Sequence, residues 1–156
     1  MKAKNTVLII GSLFIFLFLI SCKEKVIFKN AVKIPNNIWQ INDTLTFRAD
    51  ISDNKNYYNI FITVDAKKNY LTNNIWLIIN SKSPSGNLLN DTVMFFIFDQ
   101  KGKPYGKESG DIVKNKFLYK AHIIFPEKGT YTFTIRHGMR KTDLPRVSSA
   151  GICIEK

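Results

Sequence analysis

Beyond residue 40 the chain is dominated by a period-two alternation of polar and apolar positions. Thr44-Leu45-Thr46-Phe47-Arg48-Ala49-Asp50-Ile51 alternates throughout, and Tyr58, Ile60, Ile62 and Val64 place apolar side chains on one face of the next run. Phe117, Tyr119, Ala121, Ile123 and Phe125 share one parity, with Lys120 and His122 on the other. In Gly129-Thr130-Tyr131-Thr132-Phe133-Thr134-Ile135-Arg136, the residues Tyr131, Phe133 and Ile135 point one way and the threonines and Arg136 the other. Successive side chains of a strand alternate between faces, so these runs are strands with one buried and one wetter face. Ile75-Trp76-Leu77-Ile78-Ile79 and Val93-Met94-Phe95-Phe96-Ile97-Phe98 do not alternate. Such runs are either central strands covered on both faces, with Trp76 in the core, or strands whose outer face meets a partner.

Turn residues punctuate the runs. Ser83-Pro84-Ser85-Gly86, Asp99-Gln100-Lys101-Gly102 and Pro126-Glu127-Lys128-Gly129 put Pro or Gly where reversals need a fixed or positive φ. No segment sustains a 3.6-residue period. The pattern predicts an all-β fold, a single antiparallel β-sandwich of about seven or eight strands over residues 37–156. The polar, Lys- and Gly-rich stretch from Gly102 to Asn115 reads as a long exposed loop. Residues 22–36 read as a tether leading into the first strand.

The front of the chain has a different character. Lys2 and Lys4 precede a nearly unbroken apolar run from Val7 to Ile20. As a helix that run spans about 21 Å, short of the roughly 30 Å hydrocarbon core of a membrane. It therefore reads as a signal peptide, residues 1–21. It ends in Leu19-Ile20-Ser21-Cys22, which resembles the bacterial lipobox: Ser21 supplies the small residue before the cut, and Cys22 the thiol that accepts lipid. The alternative is an ordinary signal followed by an unrelated cysteine. A lipidated Cys22 carries diacylglycerol and an N-acyl chain, and two or more acyl chains hold a protein stably where one is marginal. No other cofactor is expected. Lys23 stands where Asp typically signals inner-membrane retention, which points to the outer membrane.

Composition narrows the chemistry. The 156 residues are 45% hydrophobic and 13% aromatic, enough for one core, and carry a formal net charge of +11. With 2 His and 2 Cys there is little material for thiol or transition-metal work. No nucleophile elbow, zinc-protease helix or paired-cysteine motif occurs, so no catalytic residue and no enzyme activity is expected. Asp99, Glu108 and Asp111 could offer oxygen ligands to calcium, but Lys101, Lys103 and Lys107 among them oppose a cation, and no metal site is expected. Basic residues gather at Arg136, Arg140, Lys141 and Arg146 and again along Lys101–Lys116. The export signal removes nucleic acid as a partner and leaves anionic lipid, acidic envelope proteins or polysaccharide. Once Cys22 is lipidated, Cys153 has no cysteine to pair with; its parity turns it away from Ile152 and Ile154.

The stretch from Phe125 to Arg140, with His137-Gly138-Met139-Arg140 after Gly129-Thr130-Tyr131-Thr132-Phe133, closely resembles the GldH gliding-motility lipoproteins of Bacteroidota. Ser83-Pro84-Ser85-Gly86, Asp91-Thr92, Gly110-Asp111-Ile112 and the terminal Gly151–Lys156 extend the likeness across nearly all of the chain after the lipobox. The chain departs from the family at Pro104-Tyr105-Gly106, Arg146-Val147 and Cys153. The resemblance implies a non-catalytic envelope lipoprotein that supports assembly or stability of the gliding and type IX secretion machinery, with other lipoproteins of that complex as partners. The family does not identify a contact surface. The pattern of apolar residues ringed by charge points to Tyr105, His137, Met139 and Arg140 as a docking edge. The structural alternative has Gly138 supplying a positive φ and Met139 plugging the end of the sandwich. A different class of function, a solute- or glycan-binding lipoprotein, would use Trp39, Trp76 and Tyr105 as a stacking platform.

Overall fold

The computed structural model describes residues 25–156; the signal peptide, Ser21 and Cys22 lie outside the described residues. Eleven strands follow in order: β1 (Val26–Lys33), β2 (Ile38–Gln40), β3 (Leu45–Ile51), β4 (Tyr58–Lys67), β5 (Asn74–Lys82), β6 (Leu88–Phe96), β7 (Lys107–Ser109), β8 (Ile112–Ile123), β9 (Gly129–His137), β10 (Asp143–Pro145) and β11 (Val147–Glu155). They form a five-stranded sheet ordered β1-β11-β4-β8-β7, a four-stranded sheet ordered β3-β9-β5-β6, and a small β10-β2 ribbon. Every pairing is antiparallel.

The alternation read from sequence sets the inner faces. Ile60, Ile62, Val64, Ala150, Ile152 and Ile154 from the larger sheet meet Phe47, Ile51, Ile75, Leu77, Ile79, Phe133 and Ile135 from the smaller one, all buried. Removing this apolar surface from water is the main driving force for closing the sandwich. The turns also fall where Pro and Gly place them: Gly86 (φ +96) donates its N–H to the Ser83 carbonyl at 2.9 Å, and Gly102 (φ +80) to Asp99 at 3.1 Å.

Four expectations are corrected. Residues 26–33, assigned to the tether, form β1, which pairs along β11 from Val26↔Glu155 to Lys33↔Ser149. It is an edge strand whose residues are mostly exposed, so no buried alternation marks it in the sequence. The stretch Gly102–Asn115 is partly strand: β7 and the start of β8 form a hairpin that buries Val113 and Asn115. The period of β8 also breaks. Register shifts against β4 and a positive φ at His122 (54°) turn Ala121 outward despite its parity. Trp76, expected in the core, is 40% exposed, because Ile75 and Leu77 take the inward positions and leave it on the outer face of β5.

The two ends of the sandwich differ. At the near end lie the start of β1, the end of β11 and the β3–β4, β5–β6 and β8–β9 turns. At the far end lie the β2–β10 ribbon, the start of β5 and the end of β9. Ten-residue β4 runs between them, a span of about 33 Å.

Candidate docking site

At the far end β9 gives way to the turn His137-Gly138-Met139-Arg140 beside the first residues of β5. The Gly138 N–H donates to the Trp76 carbonyl at 2.7 Å, and the Met139 Sδ accepts the Trp76 N–H at 3.3 Å. Between this turn and the β4–β5 connection runs an open groove of about 520 Å³. Leu71, Trp76, Met139 and Leu144 give it apolar walls, and Arg140 and Lys141 charge its rim. Leu71 is 48% exposed, an unusual position for a large aliphatic side chain beside a tryptophan that is itself open. The groove lining holds no His, Cys, Asp or Glu. It offers an apolar furrow containing Trp76, Met139 and Arg140, residue types enriched in protein interfaces.

The residues expected at a docking edge separate. Met139 and Arg140 line the groove. Met139 is half-buried against the core, so it both plugs the sandwich end and forms a wall of the groove. Gly138 is not among the glycines with positive φ, and that part of the structural alternative does not hold. His137 is wholly buried, its ring edge-on to Trp39 with centroids 5.7 Å apart, and cannot touch a partner. Neither ring nitrogen makes a hydrogen bond of normal geometry, although the Trp39 and Thr142 backbones lie close enough to favour a proton. Desolvation outweighs them and holds the imidazole pKa below its ordinary value. Tyr105 is 66% exposed but does not line the groove; its backbone N–H donates to Ile97 at 3.0 Å beside the β7–β8 hairpin.

The aromatic trio weighed for a sugar platform likewise shares no surface, since Trp39 is fully buried with its indole N–H on the Asp43 carbonyl at 2.9 Å. Leu71, Trp76 and Lys141 are groove residues that the docking edge read from the sequence left out. The signal for Trp76 was available in the lack of alternation over Ile75–Ile79, one reading of which was an outer face that meets a partner.

The acidic residues considered for calcium are engaged elsewhere. Asp111 pairs with Lys67 and Glu108 with Lys68, while Asp99 accepts the backbone N–H groups of Lys101 and Lys103 at 2.8 Å. No cluster of metal-ligating side chains occurs among the described residues. Cys153 faces outward from its sheet yet is 2% exposed, covered by its neighbours, with Sγ 3.3 Å from a Glu155 carboxylate oxygen. Burial, reinforced by that carboxylate, pushes its thiol pKa up to about 11, so the reactive thiolate is scarce at neutral pH.

The family model for the GldH lipoprotein matches residues 26–154, from the first residue of β1 almost to the end of β11. This chain belongs to the GldH lipoprotein family. A curated relative, the gliding motility lipoprotein GldH homolog of Christiangramia forsetii, is 30% identical over 156 residues, covering 93% of this chain and 95% of its own. The gliding motility lipoprotein GldH of Flavobacterium johnsoniae is 29% identical over 143 residues, covering 91% of this chain and 86% of its own. Among solved structures, dimeric latent PorU of Porphyromonas gingivalis overlays with a TM-score of 0.38 and 7% identity, covering 87% of this chain and 14% of that one. That likeness is too distant to bear on fold or function. β1, which the sequence pattern alone left outside the fold, lies inside the matched region of the GldH lipoprotein family.

Proposed function

We propose that the protein is a non-enzymatic, lipid-anchored docking component of the gliding-motility machinery. It is held by Cys22 at the outer membrane and supports the assembly or stability of partner lipoproteins there, including those of the type IX secretion apparatus. Both curated relatives carry gliding motility in their names, which is the ground for the machinery. The observation that carries the docking role is the placement of the groove. Its apolar walls and its cations, Arg140 and Lys141, lie at the end of the sandwich opposite the one where the described chain begins, roughly a strand's length away. A short tether at the near end would present the groove away from the lipid surface and toward proteins of the envelope.

The test is copurification from cells expressing the tagged protein at normal level. Met139→Ala combined with Arg140→Ala removes one wall and one rim charge, and Arg140→Ala alone removes the charge without disturbing the core packing of Met139. The expected result is loss of the envelope lipoproteins that copurify with the unaltered chain, together with impaired gliding or secretion. An unchanged set of copurifying proteins from cells with normal amounts of the variant would overturn the docking role.

A further inference from the structure

We propose that the near end of the sandwich is a membrane-contacting face, which rests on the lipid leaflet that receives the acyl chains of Cys22. Four large apolar residues stand open there: Tyr57 (53% exposed), Leu88 (67%), Leu89 (51%) and Ile124 (45%). Val26, the first residue of β1, adds a fifth at 49%. Leu88, Leu89 and Ile124 surround the mouth of an apolar cavity of about 390 Å³ that runs between the sheets toward Phe125 and Tyr131. A folded surface seldom leaves three such residues grouped in water, as Leu88, Leu89 and Ile124 are, unless something covers them.

The course of the chain says what covers it. Lys25 is fixed to this end by two backbone hydrogen bonds with Lys156, at 3.1 and 2.9 Å. Three residue steps separate Lys25 from Cys22, so the lipidated residue can lie at most about 11 Å from it. An anchor on so short a leash brings this end, and not the groove end, to the headgroups. The charge suits such a surface. Exposed Lys25, Lys82 and Lys128 flank β1 and the two turns that bear the apolar residues, and lysines so placed are drawn to anionic headgroups. Tyr57 is held in place by stacking on His122, with centroids 3.9 Å apart and planes 18° from parallel, and an amphipathic ring at headgroup depth is a common membrane anchor.

This inference rests on lipidation at Cys22, and the test separates the two. The lipidated full chain is reconstituted into vesicles of phosphatidylethanolamine and phosphatidylglycerol that contain a phospholipid with a photoactivatable acyl chain. After illumination, cross-links are mapped by mass spectrometry. The expected cross-links fall on peptides bearing Leu88, Leu89 and Ile124, with none on Leu71 or Trp76 at the opposite end. Leu88→Glu with Leu89→Glu, at two exposed sites that the fold does not need, should float with the vesicles on its acyl chains but lose the cross-links at Ile124. Protein that floats with vesicles yet shows no cross-links at these residues, or equal labelling at both ends, would overturn the contact face and leave the anchor standing. The same would follow if these residues were unlabelled in vesicles but protected by a protein in intact cells. A Cys22→Ser chain that still floats would remove the anchor reading itself.

Discussion

His137 illustrates how an apolar environment governs a single residue. It occupies an inward position of β9, where Tyr131, Phe133 and Ile135 precede it, and burial disfavours its charged form. An imidazole kept neutral in the folded state takes up its proton more readily once unfolded, near its ordinary pKa of 6.5. Stability is therefore full above pH 6.5 and falls as pH drops from there toward the lower pKa of the folded state, by up to about 1.4 kcal/mol per pH unit. Urea denaturation at a series of pH values between neutral and mildly acidic should show the midpoint declining. In His137→Phe, which keeps an aromatic ring against Trp39 and removes the titration, the decline should shrink. An equal slope in both proteins would mean that His137 is not the group that senses the proton. The same residue shows the limit of parity as a guide: it told that His137 points inward, but not that the ring is sealed under the β2–β10 ribbon and lost to any interface.

Among the elements, β1 is the one whose role is least apparent from its composition. It contributes only half-buried Ile27 and Phe28 to the core, yet it lies so close to β11 that a Cβ added at Gly151 would sit 2.3 Å from the Asn30 carbonyl oxygen and 2.7 Å from Ala31 Cα. The atoms it would meet, the Asn30 carbonyl oxygen and Ala31 Cα and Cβ, include no flexible side-chain end that could yield. Gly151→Ala should cost about 1–3 kcal/mol, as overpacked cores do, and should release β1 from its partner. Amide hydrogen exchange would show it as lost protection confined to residues 26–33 and their β11 partners; protection retained along β1 would contradict the packing described. Elements with one clean buried face were legible in advance: β3, β4 and β9 follow their alternation residue by residue. Those shaped by their neighbours were not. β1 is visible only as an edge laid on β11, β7 only as the partner of β8, and the end of β8 is irregular where its register against β4 shifts and Asn59 Oδ1 takes the His122 N–H at 2.9 Å.

At the scale of the whole molecule, the sandwich has two unlike ends about a strand's length apart, one bearing the chain start and open leucines, the other the groove of Leu71, Trp76, Met139 and Arg140. Half of the groove was legible in the sequence, since Met139 and Arg140 stand out as an apolar residue beside charge after a clear strand. The other half, Leu71 and Trp76, comes from a strand and a connection that meet the turn only in three dimensions. Family membership accounts for a lipoprotein of the cell envelope, and the roles proposed for the two ends would let such a protein hold a membrane and a partner at once. The most direct test is photo-crosslinking in living cells, with a photoactivatable residue placed either at Arg140 or at Lys128. The account predicts that the probe at Arg140 captures envelope proteins while the probe at Lys128, on the near-end turn, captures lipid and no protein. Protein capture at Lys128 with none at Arg140 would contradict it.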